Sequence, residues 1–142
     1  MRLTAPHPVA IHETVLYCED LPDAERFYRD IIGLRLVSSV EERSRAFRVN
    51  ATQVLLIFRA SVTKLGHATV PAHGATGEGH IAFTIEAGFY DAWKAHLARA
   101  GVEIEKEVGW EPLNDMVRGR SIYIRDPGRN SVEFIEGAVW PA

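Results

Sequence analysis

Residues 21–40, LPDAERFYRDIIGLRLVSSV, hold a helix, its stop and the strand that follows. Asp20 stands in front as an N-cap, Pro22 fits the first turn, and Asp23 lies three residues after the cap in a capping-box-like position. Ala24, Phe27, Tyr28, Ile31 and Ile32 recur at helical spacing, which predicts a helix running to about Ile32. Gly33 then ends it, as a left-handed residue at a helix C-terminus does. LRLVSSV from Leu34 reads as a strand. Working outward, AIHETVLYC (10–18) is a strand before the helix, and RAFRVN from Arg45 and QVLLIFR from Gln53 are two more after it. The order is one strand, one helix, three strands.

The same order begins again downstream. GHIAFTIE (79–86) is a strand, and FYDAWKAHLARA (89–100) is a helix with Ala92, Trp93, His96, Leu97 and Ala100 at helical spacing. Gly101 repeats the stop of Gly33, 68 residues on, and the strand after each glycine carries matching apolar residues, Leu34 and Leu36 against Val102 and Ile104. VEIEKEV (102–108), RSIYIRD (120–126) and SVEFIE (131–136) complete the copy, with GWEPLNDMV (109–117) as a long connection. This period exceeds the roughly 20 to 50 residues of solenoid repeats, so it indicates an internal duplication. The expectation is an α+β fold in one domain, 1–142, made of module 8–60 and module 78–137 joined by a glycine-rich loop. Each sheet alone leaves an apolar face open, so the two modules are expected to pair, within the chain or across a dimer. They would form curved, cupped mixed sheets around a cavity, with helices outside.

Composition narrows the function. Sixteen Lys and Arg against nineteen Asp and Glu leave a net charge of -3 without a basic stripe, which argues against nucleic acid. The longest wholly apolar run of aliphatic and aromatic residues, Val54 to Phe58, is far below the roughly 20 residues that span a bilayer. One cysteine, Cys18, excludes an intrachain disulfide, and no export-type series opens the chain, so a cytoplasmic protein is expected. Cys18 itself is expected to be a small buried residue.

His80, at the head of a strand behind the loop PAHGATGEG (71–79), focuses the chemistry. The duplication makes its first-module counterpart His12 or Glu13, both of them metal-ligand types. Glu133 sits between Val132 and Phe134, so alternation gives it the face opposite to theirs, an unusual place for an acid. Imidazole with carboxylates suits Mn, Fe, Ni, Co or Zn, and such an ion can polarise a carbonyl, activate water or bind dioxygen.

LYCEDLPDAERFYRDIIGLRL, GHIAFTIE and RSIYIRDPGRNSVEF resemble the signature segments of the vicinal oxygen chelate superfamily. That superfamily includes glyoxalase I, extradiol dioxygenases, fosfomycin-resistance enzymes, methylmalonyl-CoA epimerase and bleomycin-binding proteins. The resemblance runs from about Ile11 to Gly137 and implies paired strand-helix-three-strand modules, a homodimer and a small-molecule substrate. It also implies one divalent ion per site. Its first ligand position, seven residues before the aspartate that opens the helix, falls on Glu13, where the family has histidine or glutamine. His12 is the fallback, on the opposite strand face. The second ligand is His80. The third, three residues after the asparagine of the D-P-x-G-N turn, is Glu133. The turn departs from the pattern, since DPGRN has Gly128 one place early and Arg129 where glycine is usual. A changed turn with a retained ligand is expected.

The resemblance implies Glu13, His80 and Glu133 as metal ligands and lyase or isomerase chemistry of the glyoxalase kind. A metal-stabilised enediolate would form, with Glu13 and Glu133 as catalytic carboxylates and Glu13 doubling as base. Ser121 and Tyr123 resemble residues that fosfomycin-resistance enzymes use near substrate, although apolar Val15, on the face of Glu13, lacks the hydroxyl that would help that chemistry. Arg118 and Arg120 are candidates for gripping a carboxylate or phosphonate, His73 for a lid, and Trp110 for the pocket wall. The rivals are a ring-cleaving dioxygenase and a metal-free bleomycin-type drug-binding protein; bound metal separates the latter from an enzyme.

Overall fold

The computed structural model describes residues 5–111 and 119–140. Eight strands form two four-stranded sheets. The first contains β1 (Glu13–Tyr17), β2 (Arg35–Val40), β3 (Ser44–Arg48) and β4 (Val54–Phe58) in the order β1-β4-β3-β2. The second contains β5 (His80–Ile85), β6 (Lys106–Trp110), β7 (Gly119–Arg125) and β8 (Ser131–Glu136) in the order β5-β8-β7-β6. In both, the strand before the helix pairs parallel with the last strand, and the remaining pairs are antiparallel. Both modules therefore have the same topology, the expected pair of mixed sheets.

The first helix departs from regularity. α1 (Leu21–Arg26) is capped as expected, with the Asp20 side chain accepting from the Asp23 N–H, but the chain then widens into a π-helical segment, Phe27–Ile31. The extra residue in that turn turns both Phe27 and Tyr28 inward, their rings edge to face at 5.0 Å. Gly33 and Gly101 both adopt positive φ, 87° and 71°, as the helix-stop reading requires.

Two further differences separate sequence from structure. A short helix, α2 (Ala60–Thr63), lies at the start of the loop between the modules. The strand expected over 102–108 is instead β6, Lys106–Trp110. Val102 and Ile104 are spent packing against the core before the ladder begins, so the strand starts later and takes in Gly109 and Trp110.

α3 (Tyr90–Arg99) covers the second sheet, with Trp93 stacked on Phe134 at 4.5 Å, and its His96 Nε2 donates to the Ile31 carbonyl at 2.7 Å. The helices thus meet on the side away from the open sheet faces. One apolar core joins the modules, running from Leu16, Tyr28, Phe47, Leu55 and Ile57 to Leu97, Ile122, Ile124, Val132 and Phe134. A polar hub ties them as well. Buried Asn130 donates through Nδ2 to the Tyr17 carbonyl (3.0 Å) and accepts from the Gly79 N–H (2.8 Å), while Tyr28 donates to Asp126 (2.7 Å). Every group in this hub is paired, as low-dielectric burial demands.

Candidate functional site

Alternation on the second sheet sends Ile81, Phe83, Ile122, Ile124, Val132 and Phe134 to the core, which leaves His80, Ser121, Tyr123 and Glu133 on the open face. Glu133 is only 5% exposed, yet it sits on the face away from the apolar core. A buried carboxylate needs hydrogen-bond partners or positive charge. Ser121, fully buried, donates from Oγ to Glu133 Oε2 at 2.6 Å. The other oxygen, Oε1, lies 3.2 Å from His80 Nε2.

The imidazole is oriented from behind. His80 Nδ1 is 3.1 Å from the Ser131 carbonyl, and since a carbonyl only accepts, Nδ1 carries the proton of that bond. Nε2 therefore faces the carboxylate, with half of the His80 side chain open to solvent. Tyr123 pairs across the ladder with Glu133 and stacks near His80 at 6.3 Å. Burial, with the neighbouring Glu133 charge, pushes the Tyr123 phenol above its ordinary value, so it is neutral at physiological pH. A donor nitrogen, a carboxylate oxygen and a phenol hydroxyl converge on one open surface. Beside them is a hollow of about 240 Å³ lined by Lys106, Val108, Tyr123 and Ser131.

His80 opens β5 and Glu133 lies within β8 of the second of two like modules. Residues 10–134 match the Glyoxalase/Bleomycin resistance protein/Dioxygenase superfamily. The chain belongs to that superfamily. It is similar to a structure of lactoylglutathione lyase from Agrobacterium tumefaciens, with 36% identity and a TM-score of 0.83, over 94% of this chain and 98% of that one. It is also 27% identical to lactoylglutathione lyase of Haemophilus influenzae, over 89% of this chain and 91% of that protein. A glyoxalase/bleomycin resistance protein/dioxygenase from Nocardioides shares the fold at 22% identity, with a TM-score of 0.71 over 94% of this chain and 86% of that one.

Within this superfamily member, the expected site residues divide. His80 and Glu133 meet, and Ser121, Tyr123 and Trp110 gather around them. Glu13 does not join them: among the described residues no three His, Cys, Asp or Glu side chains converge to hold a metal. Glu13 lies exposed on the open face of the first sheet with Val15 and Tyr17, while His12 precedes β1. His73 is also on that face, 2.8 Å from the Tyr17 hydroxyl and edge-on to Phe58 at 4.7 Å. Arg120 is turned away from the pair. It is one residue out of phase with Ser121, so it lies over the Tyr90 ring at 4.0 Å and donates to Glu136 at 2.9 Å. Arg118 lies outside the described residues.

Ser121, expected near a substrate, is buried here, and its hydroxyl donates to Glu133. Trp110 likewise spends its Nε1 on Ser121 at 2.8 Å, and its ring borders a separate hollow of about 500 Å³ with Gly88, Arg120 and Gly137. A larger cleft, of about 650 Å³, lies elsewhere, between Phe27 and Ile31 on one side and Val102, Arg125 and Pro127 on the other. The DPGRN turn keeps Glu133 on the open face. Arg129 adopts the left-handed conformation itself, φ 69°, because Gly128 is needed one place earlier, where a Cβ would stand 2.6 Å from the Tyr17 carbonyl. The Asp126–Asn130 hub and the Trp110–Ser121 contact escaped sequence reading. The first leaves a faint signal, an aspartate and asparagine four apart around a turn; the second leaves none.

Proposed function

We propose that this chain is a divalent-metal-dependent lyase or isomerase of the glyoxalase type, acting on a small substrate that presents oxygen atoms to the metal. The observation that supports it most is the 3.2 Å approach of His80 Nε2 to Glu133 Oε1, with the far atoms of both groups already hydrogen-bonded. With the proton on Nδ1, the Nε2 lone pair and Oε1 can both face a cation. An imidazole nitrogen and a carboxylate oxygen suit Mn, Fe, Ni, Co or Zn. The similarity to two lactoylglutathione lyases points the same way.

In this reading His80 and Glu133 hold the ion, and Glu13 completes the set from the first-sheet face of a second copy, since its own chain does not bring it to the pair. A homodimer built on the open side of the first sheet would cover the exposed Val15 and Val40. When bound, the ion would polarise a carbonyl or enolate oxygen of the substrate. Tyr123, neutral at physiological pH, offers an O–H to a substrate oxygen, and Glu13 takes and returns the proton. Among the described residues no helix is long and apolar enough to cross a membrane.

Elemental mass spectrometry on protein purified without chelators or affinity tag tests the reading. We expect near one equivalent of a divalent metal per chain, lost in His80→Ala, Glu133→Ala and Glu13→Ala. No metal after reconstitution with Mn, Fe, Ni, Co and Zn would overturn it in favour of a metal-free drug-binding protein.

A further inference from the structure

The hydrogen-bond chain behind Glu133 has a fixed direction. An indole N–H only donates, so the 2.8 Å contact between Trp110 Nε1 and Ser121 Oγ occupies a lone pair of the hydroxyl. Ser121 therefore has its single proton free for one acceptor, and the atom 2.6 Å away is Glu133 Oε2. Oε2 must accept, which fixes its position and occupies one of its lone pairs. Burial of Ser121 removes water as a competing partner.

We infer that Trp110 and Ser121 are positioning residues that clamp Glu133 so that it offers a single oxygen, Oε1, toward His80. This rests on the metal-binding reading above and deepens it. The clamp makes Glu133 a one-oxygen ligand, because rotating the carboxylate to present both oxygens would break a bond inside a dry pocket and strand the Ser121 hydroxyl and then the indole N–H. The three residues come from β6, β7 and β8 in turn, so the clamp spans the sheet and is as rigid as the ladder that carries it.

Co(II) titration followed by visible absorption, with Ser121→Ala, Ser121→Thr and Trp110→Phe, tests the clamp. Ser121→Ala should bind Co(II) about 10 to 100-fold more weakly. Its absorption should also lose intensity, because a released Glu133 supplies both oxygens and raises the coordination number. Ser121→Thr, which keeps the hydroxyl, should return to within a few-fold of the parent, and Trp110→Phe should fall between. In the metal-free protein the Trp110 indole proton should exchange slowly by NMR, and Ser121→Ala should make it exchange fast. Folded Ser121→Ala with parental Co(II) affinity and spectrum would overturn the clamp, as would a fast-exchanging indole proton in the parent. If Ser121→Ala does not fold, Trp110→Phe decides in the same way. A protein with a protected indole proton that binds no Co(II) would retain the clamp and lose the metal reading.

Discussion

At the scale of single residues, the turn 126–130 shows how a side chain is chosen by what lies against it. Gly128 faces the Tyr17 carbonyl so closely that any Cβ must displace backbone, whereas Arg129 bears the left-handed conformation that glycine would adopt freely. Left-handed backbone costs an L residue about 1 to 2 kcal/mol, and glycine's extra unfolded-state entropy returns about half of that. We therefore expect Arg129→Gly to stabilise the fold by about 0.5 to 1 kcal/mol, and Gly128→Ala to cost about 2 kcal/mol or more through the enforced contact. Urea unfolding of both variants would check this, and a destabilised Arg129→Gly would show that its side chain contributes more than its backbone costs. Glu133 illustrates the same point in the site. An acid between two apolar strand residues was visible in sequence as an anomaly, but nothing in sequence said which of its oxygens would be free.

At the scale of elements, the two helix stops offer a controlled comparison. Gly33 and Gly101 share a positive φ, and a Cβ at either would meet nothing within 4 Å. Alanine at each should therefore cost only the conformational penalty, about 1 kcal/mol, and the two variants should agree within a few tenths. A large difference in their thermal midpoints would mean that the copies are not conformationally equivalent.

The end of β1 and the π-helical segment that follows α1 carry two groups that tie stability to alkaline pH. Burial, aided by the charges of Asp126, Asp20 and Asp23, pushes the Cys18 thiol from 9.0 up to about 11. Tyr28, buried against Asp126, is also pushed well above its ordinary value. Groups with raised values hold their protons longer in the folded chain than in the unfolded one. Their contribution is complete below pH 9 and is lost as pH rises toward 11 and beyond. For Cys18 the total is about 2 to 3 kcal/mol. Urea midpoints should fall between pH 8.5 and 11, and Cys18→Ala should flatten that fall; an unchanged slope would remove Cys18 as its cause. The same values mean that Cys18 is a thiol, not a thiolate, at neutral pH, as its expected structural role requires.

At the scale of the molecule, the proposed site needs two copies. If Glu13 of one chain serves His80 and Glu133 of another, Glu13→Ala and His80→Ala proteins should each lack metal, while a heterodimer of the two contains one intact site. Mixing the variants under exchange conditions should then restore metal binding to about half an equivalent per chain of heterodimer, because one of two sites is whole. No restoration in a demonstrated heterodimer would place the whole ligand set within one chain or dismiss Glu13.

The sequence by itself determined the repeated strand-helix-three-strand order, the helix stops at Gly33 and Gly101 and the face of Glu133. These follow from local periodicity and backbone preference, which neighbouring residues carry among themselves. The π-helical widening, the late start of β6 and the turning away of Arg120 were decided by tertiary structure. Each depends on which side chains compete for one core, or on a phase that slips by one residue. The clamp from Trp110 through Ser121 to Glu133 was decided there too, because its members meet only when separate strands are paired in register. The separation of Glu13 from the pair has the same origin: local sequence places a ligand on a strand face, but only the packing of whole sheets determines what that face meets.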